Sequence, residues 1–216
     1  MPEKNPPTLP EEFLAAEFEY IANSAFQANE ERSKAASFFL VSVGSLVAAI
    51  FGAQRLSGAA ESLLIVYRSL AGLFLVLTIL GTLTVLQLAR LRAAWHESAL
   101  AMNQLKEFMA EQYQDIKLRE AFRWRKETLP GKYKKDSISY YTTLEVALLC
   151  ALTLGAAVYF FLLSIEFTFG LWLFSLGAGA LAFLAQLIFY KRLLAETHPN
   201  KPKPRRVTKG HKGNSS

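Results

Sequence analysis

Ser69–Leu129 reads SLAGLFLVLTILGTLTVLQLARLRAAWHESALAMNQLKEFMAEQYQDIKLREAFRWRKETL, and its reading decides the fold. Its first 21 residues, Ser69 to Ala89, carry no charge. A charged, heptad-like segment follows directly. No Gly or Pro occurs from Thr82 to Leu129, so nothing local stops one helix from leaving a bilayer and continuing into water.

The rest of the chain is placed by this stretch. Of its 216 residues 52% are apolar, but they fall into windows bounded by charges. Lys34 and Arg55 enclose 20 uncharged residues, Arg68 and Arg90 enclose 21, Glu145 and Glu166 enclose 20, and Glu166 and Lys191 enclose 24. A hydrocarbon core of about 30 Å needs roughly 20 helical residues, so every window is long enough to span it. The expected fold is all-α: an integral membrane protein with four transmembrane helices. The spans are expected at 35–54, 69–89, 142–165 and 169–190. An amphipathic helix, 1–34, runs without interruption into the first span. A cytoplasmic stalk and return segment occupies 90–141, and a basic, disordered tail 191–216.

The N-terminal helix is announced by Thr8 and Glu11 at capping-box spacing, with Pro10 in the first turn. Leu14, Phe18, Ile21, Ala25 and Ala28 form one apolar stripe, with Glu12, Glu17, Glu19, Glu30 and Glu31 mostly off it. One helix from about Leu9 to Ala53 is expected. In the stalk, Leu91, Trp95, Met102, Leu105, Met109 and Ile116 keep a four-and-three rhythm, with Ser98 and Gln112 as polar gaps. The natural partner of this stripe is the N-terminal helix, in antiparallel pairing. A straight stalk from Arg90 to Thr128 would reach roughly 58 Å. The residues left to return to the bilayer, Leu129 to Tyr141, span at most about 45 Å. A bend is therefore expected around Gln112 to Lys117, with a short return helix containing Phe122 and Trp124. Thr142 and Glu145, again at capping-box spacing, are expected to open the third span.

Orientation follows from Lys and Arg. The segment from Arg90 to Lys135 carries eleven and the tail from Lys191 carries eight, against only Arg55 and Arg68 in the two opposite loops. The positive-inside rule places both termini in the cytoplasm, in a plasma (inner) membrane. The Glu-rich first 35 residues are not a secretory signal, so the first span is expected to direct insertion. Phe160, Phe161, Phe167, Phe169 and Trp172 suit an aromatic belt at the outer interface.

Chemistry is sparse. His96, His198 and His211 are scattered, and no metalloprotease, nucleophile-elbow or phosphate-loop pattern occurs. The single cysteine, Cys150, lies within the third window and is expected to be a small packed residue. No catalytic, cofactor-binding or metal-binding residue is assigned, and no enzyme activity or cofactor is expected. Glu145 is the only acid close to a membrane core, so it reads either as a helix cap or as a carboxylate for a transporter or membrane enzyme. Gln87 and Gln186 are expected to bond between helices or at the interface.

Two sets of residues are candidate sites. Ala147, Ala151 and Gly155 on the third span, and Ser175, Gly179 and Ala182 on the fourth, form small faces that permit close helix packing. Ser45, Ala48 and Gly52 form another on the first. So many small faces predict a homo-oligomer, with the fourth span near the contact. Lys201, Lys203, Arg205 and Arg206 are candidates for binding anionic lipid, at about 1 kcal/mol per charge near the surface. No aromatic residue is interleaved with these bases, and nucleic acid is not an expected partner.

The function expected is that of a non-enzymatic, self-assembling membrane scaffold or sensor. Its partners would be membrane lipids, copies of itself, and a cytoplasmic protein docking on the stalk. The alternatives are a channel or pore-forming effector, and a transporter or membrane enzyme using Glu145. The layout is similar to that of small helical-stalk membrane effectors of bacterial defence systems, a likeness of architecture that implies the pore-forming alternative.

Overall fold

A computed structural model of the chain describes residues 9–53, 63–112 and 128–196. These residues form four helices and, among them, no strand. The helices are α1 (Leu9–Ala53), α2 (Leu63–Gln112), α3 (Ile138–Ser164) and α4 (Leu171–Glu196).

α1 is one helix of 45 residues from its Glu-rich start into its apolar end. Leu14, Phe18, Ile21, Ala25 and Ala28 all lie on its buried or half-buried side, and Glu12, Glu17, Glu19, Glu30 and Glu31 are all exposed. The stripe continues through Ala36, Phe39 and Val43 without changing face. α2 runs unbroken for 50 residues, about 75 Å at 1.5 Å per residue. It starts at Leu63, so Arg68 lies inside the helix, exposed on its surface. The bend expected around Gln112 to Lys117 falls, past Gln112, outside the described residues, as do the return helix expected to contain Phe122 and Trp124, Thr8 of the capping box, the 55–62 loop and the tail candidates Lys201, Lys203, Arg205 and Arg206.

Three helices, α2, α3 and α4, are long and apolar enough to cross a membrane. The apolar end of α1 reaches residue 53, and the expected span 35–54 runs past it into residues not described. The bundle is apolar outside as well as inside. Leu75, Val76 and Ile79 of α2, Leu148 and Leu152 of α3, and Leu173, Leu176 and Leu181 of α4 are all exposed. Water-soluble monomers rarely leave contiguous apolar patches beyond a few hundred Å². A belt of this kind suits hydrocarbon.

The core gathers where α1, α2 and α3 meet. Phe39, Val85, Leu88, Val146 and Cys150 have 2% exposure or less. Gly81 makes the meeting possible: a Cβ there would lie 2.6 Å from Phe39 Cζ and 3.0 Å from Cys150 Sγ. α3 and α4 form a hairpin through a tight turn. Glu166 takes the left-handed conformation at φ 58°, Phe167 N–H donates to Leu162 O, and Glu166 N–H to Leu163 O, a Schellman closure. Gly170, at φ 67°, turns the chain into α4. Aromatic rings collect beside this turn, with Tyr159 5.0 Å from Trp172 and Phe160 5.8 Å from Phe74.

α3 begins earlier than its sequence suggests. Ser137 is the N-cap, its Oγ accepting from the Tyr140 amide at 3.2 Å. Thr142 is already inside the helix, its hydroxyl donating back to the Ile138 carbonyl. Glu145 is therefore no cap; it stands seven residues into α3, on the exposed face. The spacing misled because a Thr–Glu pair three apart also occurs in a helix interior, where the Thr bonds its own preceding turn.

Candidate functional site

Two polar places stand out in this apolar bundle. The first lies inside it. Gln186 of α4 donates from Nε2 to Cys150 Sγ of α3 at 2.7 Å and to Thr82 Oγ1 of α2 at 3.2 Å. The Cys150 thiol donates to the Thr78 carbonyl at 3.2 Å, and Thr78 Oγ1 meets Thr153 Oγ1 at 3.1 Å. Three helices are thus stitched by short polar side chains, the kind of contact available where no water competes. Gln186 Oε1 is buried without a hydrogen-bond partner. Cys150 is more than packing: it is the centre of this cluster. Sequence reading placed Gln186 near the right chemistry, but not its partners, which come from positions 104 and 36 residues away.

The second place is at the charged ends of the apolar windows. Arg32, three residues before the window of α1, and Arg92, three residues after that of α2, both line a cavity of about 400 Å³. Ala25, Phe26, Asn29, Trp95 and the first residues of α3, Ser137 to Ser139, complete it. Arg92 is only 7% exposed. Its Nε donates to the Lys132 carbonyl at 3.1 Å, and its guanidinium lies 4.5 Å from the Trp95 ring centroid. Arg32 donates to Asn29 Oδ1. Burial pushes both guanidinium groups below their ordinary value; the nearby Tyr190 hydroxyl acts the other way on each, and Arg32 further lowers Arg92. Both remain cations, since arginine is not deprotonated in proteins. Among the described residues no carboxylate lies within ion-pair distance of either. Ser139 is 2% exposed, and its Oγ has no hydrogen-bond partner. The nearby ion pair, Lys132 to Glu97 at 3.3 Å, is separate.

The same elements set the register of α1 on α2. Arg32 faces Arg92 across the cavity, and Lys106 Nζ lies 5.7 Å from the Phe18 ring centroid. Each chain segment between these pairs is fourteen residues, two heptads, so α1 and α2 run antiparallel in step. Midway, Ala25 and Ala99 are both buried. The stalk seam is Arg92, Ala99, Asn103 and Ala110, each buried. That is one position on from the stripe expected through Leu91, Trp95, Met102, Leu105 and Met109, which are only half-buried. Ala99 and Ala110 let the two helices approach closely, Arg92 and Asn103 put polar side chains into the same seam, and the larger apolar residues flank it.

The small-residue candidates are brought together within one chain. Ala147, Ala151, Ser175 and Gly179 are buried, and Gly155 and Ala182 half-buried. A Cβ on Gly179 would stand 2.9 Å from the Ala151 carbonyl oxygen, and one on Gly155 3.1 Å from that of Ser175. These residues seat α4 on α3. Ser45 and Ala48 on α1 face outward instead, and Gly44 beside them has open space around it. Gln87 is exposed. No group of three or more His, Cys, Asp or Glu side chains that could hold a metal ion occurs among the described residues. Sequence reading did not find the arginine cavity, because Arg32 and Arg92 read as ordinary charges flanking two spans. Compared with protein-family models, curated proteins and solved structures, the chain finds no match.

Proposed function

We propose that this chain is a non-enzymatic membrane scaffold or sensor with four crossings, in which α1 and α2 carry a paired stalk out of the bilayer. One observation carries the reading: two helices, of 45 and 50 residues, pass without a break from an apolar bundle into a polar pair. The polar parts, Leu9 to Lys34 and Arg90 to Gln112, are roughly 39 Å and 34 Å long at 1.5 Å per residue. A partner docking on that pair is joined rigidly to the membrane bundle. Both termini are placed in the cytoplasm of a plasma (inner) membrane, on the Lys and Arg distribution.

Self-assembly belongs to the same proposal. The small face of α4 is used within the chain, so the outward face of α1, with Gly44, Ser45 and Ala48, is the contact proposed between copies. A channel is the second reading. The packed interior around Phe39, Val85 and Leu88 supports a pore between copies rather than through one. Glu145, on the exposed face of α3, gives the transporter reading less support than a carboxylate inside the bundle would.

The deciding experiment measures ion flux in proteoliposomes, with single-molecule bleaching to count subunits. A closed oligomer supports the scaffold. Flux that rises with subunit number replaces it with the channel, and flux abolished by Glu145→Gln replaces it with the transporter.

A further inference from the structure

Helix α3 starts inside the arginine cavity. A helix leaves its first four amides without intrahelical partners and carries a partial positive charge at that end. Here Ser137 caps the Tyr140 amide, while the amides of Ile138 and Ser139 belong to that unpartnered set. Ser139, whose buried hydroxyl has no partner, is among the residues that line the same cavity. Arg32 and Arg92 line it from α1 and α2, two cations with no acid to balance them among the described residues. Two like charges held this close favour a bound anion, and arginine forks match phosphate oxygens two at a time.

The level of the cavity says which anion. Arg32 and Arg92 lie within three residues of the apolar windows, roughly 5 Å along a helix. Tyr190, the last uncharged residue of the α4 window, lies near both. The cavity therefore sits at headgroup depth. Phe26 on its wall is 68% exposed and Ile138 is 80% exposed, an apolar rim beside a cationic floor. We propose that this cavity binds the phosphate of an anionic phospholipid, held by Arg32, Arg92, the Ser139 hydroxyl and the first amides of α3, with the acyl chains directed toward the apolar windows that begin three residues beyond the two arginines. The site rests on the reading that the apolar helices cross a bilayer. It ties α1, α2 and α3 together at the root of the stalk, so the lipid composition of one leaflet sets how firmly the stalk is held.

The test is lipid titration by native mass spectrometry on the full chain in detergent. Lys201, Lys203, Arg205 and Arg206 are replaced by Ser, so that the tail does not contribute. Phosphatidic acid and phosphatidylglycerol are compared with phosphatidylcholine. The expected result is one tightly retained anionic lipid per chain. Arg32→Gln should weaken it about fivefold, at about 1 kcal/mol per charge. Ser139→Ala should weaken it about tenfold, the worth of a hydrogen bond to a charged group. Arg92 also holds the Lys132 carbonyl, so the other two variants carry the test, and both should melt as the parent does without lipid. Equal retention of phosphatidylcholine, or unchanged affinity in both variants, overturns the site. Competition by glycerol 3-phosphate at the lipid's own concentration overturns the lipid assignment in favour of a soluble phosphate. Release of the protein by alkaline carbonate would instead overturn the membrane reading itself.

Discussion

On the proposed reading, the α3–α4 hairpin and the stalk half of the α1–α2 pair solve one problem in two solvents. Both bring helices together over small residues: Ala151, Gly155, Ser175 and Gly179 in the hairpin, Ala25, Ala28, Ala99 and Ala110 in the stalk. Outside the seam they diverge. The hairpin turns Leu152, Leu173 and Leu176 outward, and the stalk turns Glu12, Glu17 and Glu19 outward. Burying apolar surface drives the stalk, whereas lipid gives the hairpin no such gain, so backbone approach and hydrogen bonds must hold it. Close approach is therefore the more demanding condition in the hairpin.

The sharpest way to break that comparison is Gly179→Leu. Its Cβ alone would sit 2.9 Å from the Ala151 carbonyl, an atom of the backbone that cannot swing aside. Overpacking of this kind costs about 1–3 kcal/mol or more, and the melting temperature in detergent should fall accordingly. Because the clash is within one chain, the loss should appear whatever the subunit number.

In the stalk, Ala99→Leu should cost about 1–3 kcal/mol, while Ala94→Leu, on the exposed face, should stay within about 0.5 kcal/mol. Equal effects at the two positions would return the seam to the Leu91–Met109 stripe. Gln186→Leu should have a smaller effect, within about 1 kcal/mol. Interhelical hydrogen bonds in membranes average about 0.6 kcal/mol, and the change also removes the buried, unpartnered Oε1.

How much of this was legible in the sequence depends on the kind of signal. Helix α1 could be read end to end because its apolar stripe and its acids never change face between Leu14 and Val43. That α2 passes without a break from its apolar part into its charged part followed from the absence of Gly and Pro after Gly81. The seam of the stalk was missed by one position because a periodic pattern of Leu and Met marks a flank as readily as a centre, and the buried positions beside it are held by two alanines, an arginine and an asparagine. The start of α3 was misplaced because Ser137 and Thr142 both offer a cap, and only the turn between Gly131 and Asp136 decides between them. The arginine cavity could not be read at all, since it joins residues 60 apart in sequence to the start of a third helix.

The smallest expected effect is on pH. His96 is held below the ordinary imidazole value of 6.5, chiefly by burial and then by Lys132 and Arg92. The folded state therefore binds its proton less readily than the unfolded one. Its contribution to stability is complete above about pH 6.5 and is lost as pH falls toward the folded value. Melting at pH 5 should be slightly earlier than at pH 7.5, and His96→Gln should flatten that difference.

The central claim is that α1 and α2 remain paired, in this register, after they leave the bundle. Cysteines at Phe18 and Lys106, in a Cys150→Ala background, test it directly in native membranes. A short bifunctional reagent should join them within a single chain in high yield, while cysteines at Phe18 and Ala94 should stay separate. No cross-link between Phe18 and Lys106, or cross-links only between chains, would contradict it.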